Sequence, residues 1–455
     1  LSSALTGFDS QEDLIDFRQG RVGQWKSIFD FTYKPKNENA KPDFTGWRSS
    51  YTNKDIPATE MSEWVERTCE RILSYKPRRI LEIGCGVGLL LERLAPHCEA
   101  YTGTDVSATA VDRLRQFVES RHDLNHVTLM ERDASNFDSL CGSNFDMVVI
   151  NSVVQYFPEL GYLEQVLSSA AQTVVEGGHI FVGDIRNLSL QRPFHTRMHL
   201  AKAHDSASIG WLRNKILLSG EHERELVIDP QFFLNFARSH PGFAGAQTLL
   251  KRGRAKNEMT SYRYDAVLHL GTKMSVAPQR TLAWQDSRQL ADLMALHKGH
   301  AEGFIRIVGL PNARIEADRA AWLLVAEASD NTTISTIREK LNTLTPVGID
   351  PESLFEEVAG EGYDVQIEAR AYAADGSFDV VIPALEPFAP GTSGASFSDS
   401  ARFDDPRPVS TNPLFAARKQ EVADHLWTRL QERLPTNNLP SALYVVDQLP
   451  PHVED

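Results

Sequence analysis

The run Leu81-Glu82-Ile83-Gly84-Cys85-Gly86-Val87-Gly88 closes an apolar segment that reads as a strand and opens one that reads as a helix. Glycines at such a turn let the backbone bend tightly and approach a ligand where a Cβ would clash. The next apolar segment, 100–104, leads into Asp105, a carboxylate placed to take two ribose hydroxyls. A strand, a glycine turn, a helix, a second strand and an acid in that order cradle a nucleotide-like ligand. Glu82, just before the first glycine, narrows the choice. A pyrophosphate prefers backbone N–H groups without a carboxylate beside them, whereas a cationic group tolerates one.

The pattern around this unit is regular. Strands are expected at 79–83, 100–104, 127–130, 146–150 and 179–182, with helices at 89–95, from Ser107 as N-cap through Val118, and from Leu160 to Val174. Gly177-Gly178 reads as a turn and 262–270 as a late strand. Alternating β and α elements imply an α/β fold, Rossmann-like, with a mostly parallel, doubly wound sheet and right-handed crossovers. Upstream, residues 13–30 place Leu14, Phe17, Val22, Trp25, Ile28 and Phe29 on an amphipathic helix, 33–43 read as a loop, and 61–76 keep helical spacing. After about Gly271 the character shifts to a smaller α+β region, with helices at 287–296 and 333–344 and strands at 363–371 and 378–382. The segment 387–408 is rich in Pro, Gly, Ser and Asp, and the tail carries a helix near 420–434 and a strand at 442–446. The division expected is an N-terminal helical and aromatic lid (1–56), a core (57–271), an accessory region (272–386), a linker (387–411) and a C-terminal subdomain (412–455).

With 455 residues the chain is too long for one ordinary domain, and 42% apolar residues suffice for a packed core. A net charge of −14 argues against a nucleic-acid partner. The densest basic cluster, Arg252, Arg254 and Lys256, reads as a solvated loop. Cys69, Cys85, Cys98 and Cys141 show no metal-ligand spacing, so no metal is expected, and reduced thiols suit a cytoplasmic setting. No apolar run reaches membrane-spanning length and no signal peptide is expected at Leu1-Ser2-Ser3-Ala4-Leu5.

Ligands of such a sheet bind outside the carboxyl ends of its strands. Those ends carry Glu82, Gly84, Gly86, Gly88, Asp105, Asp133, Ala134 and Asn151. Asp133 and Asn151 read either as ligand contacts or as loop caps. Tyr33, Trp47 and Tyr51 read as cofactor cover or as core.

The glycine run looks like motif I of the class I S-adenosylmethionine (SAM) methyltransferases. The likeness is more specific than that one motif. Residues 46–52 (Gly-Trp-Arg-Ser-Ser-Tyr-Thr), 60–66, 78–86, 181–187, 194–196, 251–260 and 309–314 resemble the methyltransferase domains inserted into adenylation domains of nonribosomal peptide synthetases. The resemblance implies SAM as cofactor, S-adenosylhomocysteine as product, Asp133-Ala134 at the adenine, and Asn151 near the reactive methyl. It implies N-methylation of an aminoacyl or peptidyl thioester on the phosphopantetheine of a peptidyl carrier domain, among neighbouring synthetase domains. O- or C-methylation of a tethered or free small molecule and a non-catalytic scaffold are the alternatives. Residues 434–446 resemble the small C-terminal subdomain of an adenylation domain. The sequence there runs on to Leu449-Pro450-Pro451-His452-Val453-Glu454-Asp455, without the Asn-Gly-Lys lysine that serves adenylation, so no amino-acid activation is expected of these residues.

The sulfonium is already a good leaving group, so positioning a neutral nucleophile supplies much of the acceleration. Histidine suits amine deprotonation. His195 is the first catalytic candidate, with Asp184, Asn257 and Glu258 orienting the amine. A hydrogen-bonded helix histidine is the other reading of His195.

Overall fold

Strands β1 (Arg79–Ile83), β2 (Ala100–Asp105), β3 (Val127–Glu131), β4 (Phe145–Asn151) and β5 (Val174–Arg186) pair in parallel in the order β3-β2-β1-β4-β5. β1 and β4 are almost continuously buried, as strands covered on both faces must be. The computed structural model describes residues 11–33, 44, 47–140, 142–271, 280–284, 304–383, 407–440, 443 and 445. The expected helix at 287–296, the loop after Tyr33, Gly46, Cys141 and nearly all of the 387–406 segment and the 442–446 strand lie outside these residues.

Ahead of the sheet run α1 (Gln11–Thr32) and α2 (Ala58–Ser74). On α2 the stripe Met61, Trp64, Val65, Thr68, Cys69 and Ile72 is buried, and its apolar members pack with Ile80, Tyr101, Met147 and Phe181 on one sheet face. The helix expected at 89–95 is the single turn α3 (Leu91–Leu94) followed by a 3-10 turn. Ser107 caps α4 (Ala108–Glu119), accepting from Ala110 N at 3.2 Å. α5 (Leu160–Ala171) buries Tyr162, Leu163, Val166, Leu167 and Ala170 on the other face.

One expectation fails outright. Gly177-Gly178 does not separate a helix from a strand, because β5 already begins at Val174 and passes through both glycines. Its register with β4 shifts there, Gly177 has φ +81°, and a Cβ on Gly178 would lie 2.8 Å from the Asp146 carbonyl oxygen. The pair makes an irregularity within a strand, where backbones approach closely.

Helices α6 (Gln191–Lys202), α7 (Ile209–Glu221) and α8 (Gln231–Ser239) lead to β6 (Phe243–Leu250). The short α9 (Glu258–Ser261) then turns the chain into β7 (Arg263–Leu270), which inserts antiparallel between β5 and β6. Later elements are β8 (Arg280–Ala283), β9 (Phe304–Leu310), α10 (Glu316–Glu327), α11 (Ile334–Asn342), α12 (Pro351–Gly360), β10 (Gln366–Ala369) and β11 (Phe378–Pro383). Their strands continue the same sheet: among the described residues it has eleven, in the order β3-β2-β1-β4-β5-β7-β6-β10-β11-β9-β8. One apolar cluster runs from Leu81 and Val148 through Leu268 to Ile307 and Val380, so the later strands share the core of the earlier ones.

The tail is stitched to the core as well. Asp229 N donates to the Val409 carbonyl (2.8 Å) and Thr411 N to that of Val227 (3.0 Å). Asn412 then caps α13 (Pro413–Arg433), and Leu414 N donates to the Pro158 carbonyl at 3.1 Å.

Candidate active site

The ends of β1, β2 and β4 open into a cavity of about 330 Å³. Asp105 shapes it. Its Oδ2 accepts from Gly86 N and its Oδ1 from Ser107 N, both at 2.8 Å, which fixes the glycine turn against the end of β2. An ionised carboxylate has about four acceptor positions, so two remain for ligand hydroxyls. Burial raises the Asp105 carboxyl above its ordinary range.

The three motif glycines serve different ends. All have positive φ, +76°, +50° and +84° for Gly84, Gly86 and Gly88. A Cβ on Gly84 would collide with Val153 Cγ2 at 2.3 Å, and one on Gly88 with Leu114 Cδ2 at 2.4 Å. On Gly86 it would meet Tyr33, with the hydroxyl at 3.2 Å and Cζ at 3.7 Å. Of the three, only Gly86 has room for a Cβ at the cavity wall, while glycine at the other two permits packing.

Glu82 lines the same cavity and is 3% exposed; its Oε2 accepts from the Tyr101 hydroxyl at 2.6 Å. Burial pushes its carboxyl up to about 7. Asp133 Oδ1 accepts from Ser135 N (2.8 Å), Ser135 Oγ (2.6 Å) and the Tyr162 hydroxyl (2.6 Å), which hold the loop with Ala134 against the cavity. Asn151 ends β4 with a buried Oδ1 that has no partner, an acceptor left for a ligand donor.

α1 roofs this cavity with Val22, Trp25, Ile28 and Phe29. Trp25 and Phe29 pack on the Tyr156 ring, with centroids 4.6 and 5.0 Å away. Polar ties pin the helix down: Arg18 to Glu159, Lys26 Nζ to Glu131 (2.5 Å) and to the Val106 carbonyl (2.7 Å), and Ser107 Oγ to Asp30 Oδ1 (2.6 Å).

Trp25, Trp47 and Tyr156 also line a second cavity of about 680 Å³, so the two share a wall. Its floor holds His195, Arg186, Glu258 and Arg263; Arg48, Lys215 and Arg224 are exposed at its rim. Arg186 is held between Glu223 (2.9 Å) and Glu225 (2.7 Å). His195 is 5% exposed, neither ring nitrogen has a hydrogen-bond partner, and Nε2 lies 3.8 Å from Glu223 Oε2. Burial, then the Arg186 charge, lowers its pKa to about 3. This imidazole is neutral and a weak base. Glu258 is anchored by Ser50, through N (2.8 Å) and Oγ (2.9 Å).

Asp184 lies between the cavities and lines neither. It is fully buried, with Oδ1 accepting from Trp64 Nε1 (3.1 Å) and Oδ2 from Ser152 Oγ and Arg263 Nη1 (2.5 Å each). Asp184 and Ser152 both adopt left-handed backbone, φ +65° and +57°, a strain of order 1 kcal/mol or more each. The pair ties the ends of β4 and β5 together beneath the site.

Of the residues expected at the cofactor, Glu82, Gly84, Gly86, Asp105, Asp133, Ala134 and Asn151 line the first cavity, with Tyr33 and Trp47. Gly88 and Tyr51 do not. Tyr51 packs with Phe194 and Tyr262, under the Arg197 guanidinium. Of the catalytic candidates, His195 and Glu258 share the second cavity. Asn257 does not reach it: its Oδ1 caps α9 at Met259 N and Thr260 N, and its Nδ2 donates to Glu60 Oε2 at 2.6 Å. Asp184 is committed to its three partners. Trp25 and Phe29 were not expected to line the site, although the stripe Val22, Trp25, Phe29 is visible on the first helix. The Arg186–Glu223–Glu225 cluster left no periodic signal.

Residues 81–180 match the family described as methyltransferase domain. The chain is 37% identical over 423 residues, 89% of its length, to chondramide synthase cmdD of Chondromyces crocatus. It is 37% identical over 70% of its length to the probable non-canonical nonribosomal peptide synthetase CymA of Salinispora arenicola. Over 99% of its length it is 31% identical to the nonribosomal peptide synthetase dtxS1 of Metarhizium robertsii. It spans only 10%, 4% and 6% of those relatives. A methyltransferase match over the glycine turn and its strands, inside a likeness to synthetases along most of the chain, makes this protein a methyltransferase of the kind embedded in nonribosomal peptide synthetases.

Proposed function

We propose that the chain transfers a methyl group from SAM to the α-amino group of an aminoacyl or peptidyl thioester held on a carrier domain. The observation that carries this reading is the pair of cavities sharing Trp25, Trp47 and Tyr156, one with the glycine turn and Asp105, the other running from an exposed rim to an unpartnered imidazole. An acceptor can enter the second cavity from outside while the donor stays roofed by α1.

The residues of the first cavity fit the cofactor. Asp105 keeps acceptor positions that would take the ribose hydroxyls, Asp133-Ala134 would hold the adenine end, and Glu82 would suit the cationic methionine end. Bound SAM supplies an activated methyl. The protein's own part is to bind, orient and exclude water. His195 accepts a hydrogen bond from the acceptor amine at a ring nitrogen, and Glu258, fixed by Ser50, orients it from the other side. With a pKa near 3, His195 is too weak a base to ionise a hydroxyl or a carbon acid. An amine needs only to arrive neutral, which favours nitrogen as the acceptor atom. Cys69, Cys85 and Cys98 are unpaired thiols, in keeping with a cytoplasmic setting.

The test is mass spectrometry of the full chain with SAM and a carrier domain loaded with aminoacyl thioester, beside the free amino acid. N-methylation of the thioester is expected. Methylation of the free amino acid alone, or on oxygen, refutes the proposal.

A further inference from the structure

The charges of the second cavity are unevenly satisfied. Inside, each is answered: Glu223 and Glu225 by Arg186, Arg263 by Asp184, Glu258 by Ser50. At the rim Arg48 meets Asp55 only at 3.5 Å, both side chains being exposed. Lys215 and Arg224 form no ion pair or hydrogen bond among the described residues. Arg21 is held below its ordinary range by burial and by the nearby Arg224 charge, and His199 by burial, Lys202 and Lys215. Two rim cations with no ion pair among the described residues stand out on a chain of net charge −14. A second observation points the same way. The cavity below the rim ends on His195, 5% exposed with both ring nitrogens unpartnered, so it is built to receive a polar ligand.

We propose that Lys215 and Arg224 bind the phosphodiester of a phosphopantetheine arm, fixing the depth at which the arm presents its thioester to His195 and Glu258. This rests on the carrier-tethered reading of the function. Phosphate is the anion that such an arm carries at its outer end, and a partly exposed ammonium and guanidinium recognise it by charge-assisted hydrogen bonds. Anchoring one end turns delivery of the amine into a positioned, effectively intramolecular event.

Binding and turnover of the full chain test the proposal separately. With S-adenosylhomocysteine present, calorimetry should find 4′-phosphopantetheine bound about tenfold more tightly than pantetheine, as one to two partly exposed charged contacts allow. The double variant Lys215→Gln/Arg224→Gln should erase that difference and leave S-adenosylhomocysteine affinity unchanged. Equal binding of the two arms, or a difference that survives in the double variant, overturns the proposal. In turnover, aminoacyl thioesters on phosphopantetheine and on pantetheine should differ in KM and much less in kcat. Equal kcat/KM for both overturns the phosphate site and leaves the carrier reading standing. No methylation of either, with the binding preference intact, overturns the carrier reading and with it the arm's part in delivering the amine.

Discussion

Replacing Glu82 by Gln should stabilise the ligand-free protein and weaken its hold on SAM, both in a pH-dependent way. Glu82 is 3% exposed at the end of a central strand, with the Tyr101 hydroxyl donating to it. Burial raises its carboxyl from the ordinary 4.5 to about 7. Between those values the unfolded chain has released a proton that the folded chain still holds. Stability therefore falls as pH rises through this window, by about 3 kcal/mol once pH exceeds 7. Gln keeps an oxygen for the Tyr101 hydroxyl and carries no charge to desolvate. In urea denaturation the variant should match the wild type near pH 4.5 and exceed it by about 2–3 kcal/mol at pH 8. Binding should run the other way. A sulfonium beside Glu82 favours its ionised form, so wild-type affinity for SAM should rise from pH 6 to 8 more than affinity for the neutral-sulfur product does. The variant should show no such divergence and bind SAM about tenfold more weakly at pH 8. A stability difference that stays constant from pH 5 to 8, or a SAM-to-product preference with the same pH slope in both proteins, would refute the reasoning.

Asp105→Ala removes the acceptor for Gly86 N and Ser107 N as well as for ribose, and should cost about 1.5–3 kcal/mol in S-adenosylhomocysteine binding; an unchanged calorimetric dissociation constant rules out the assignment. Gly86→Val should fold and fail to bind cofactor, whereas Gly84→Val should not fold, since its Cβ would sit 2.3 Å from Val153; circular dichroism and calorimetry together check this, and normal binding by the first variant would move the cradle elsewhere. His195→Gln should lower turnover by about tenfold with little change in cofactor affinity, and the ratio should stay flat from pH 6 to 9 because the imidazole is neutral throughout; a loss that shrinks with rising pH would restore His195 as a base. Ending the chain near Pro387 removes the Leu414–Pro158 bond beside the cofactor cavity and α13, which packs on the lid helix, so S-adenosylhomocysteine affinity should fall about tenfold; undiminished affinity would show that the lid stands without it.

The first cavity was legible because its parts are local and ordered along the chain. Strand, glycine turn, helix, strand and acid follow one another, and each element needs only its neighbours in sequence. Ser107 likewise declares its helix. The second cavity gathers Trp47, Tyr156, Arg186, His195, Glu223 and Glu258 from six separate segments, and nothing in the spacing of those residues announces it. Where a polar residue has two possible duties, sequence cannot choose. Asn257 is expected from the sequence at the amine, and only the positions of Met259 N and Thr260 N show that it caps a helix instead. His195 misled differently. Its residue type suggests a base, but its basicity is set by burial and by Arg186, which pairs across the fold with Glu223 and Glu225. Gly177-Gly178 was read by its usual habit as a turn; a close approach to Asp146 makes it part of a strand.

The pairing of β10 with β6 has a consequence for where this protein can be divided. β6 is Phe-Ala-Gly-Ala-Gln-Thr-Leu-Leu, mostly buried and apolar. Its outer side is covered through the Glu368–Leu249 pairing, with Thr248 Oγ1 donating to the Ala369 carbonyl (2.9 Å) and Gln247 Nε2 to Gln366 Oε1 (2.7 Å). A fragment ending at Gly271 would retain both cavities' strands, yet it would bare a long hydrophobic strand edge, a template for intermolecular pairing. The later strands therefore cover an edge on which copies of such a fragment would be expected to pair. Among the described residues the short strand β8 ends the sheet beyond them, and its four residues offer a much poorer seed.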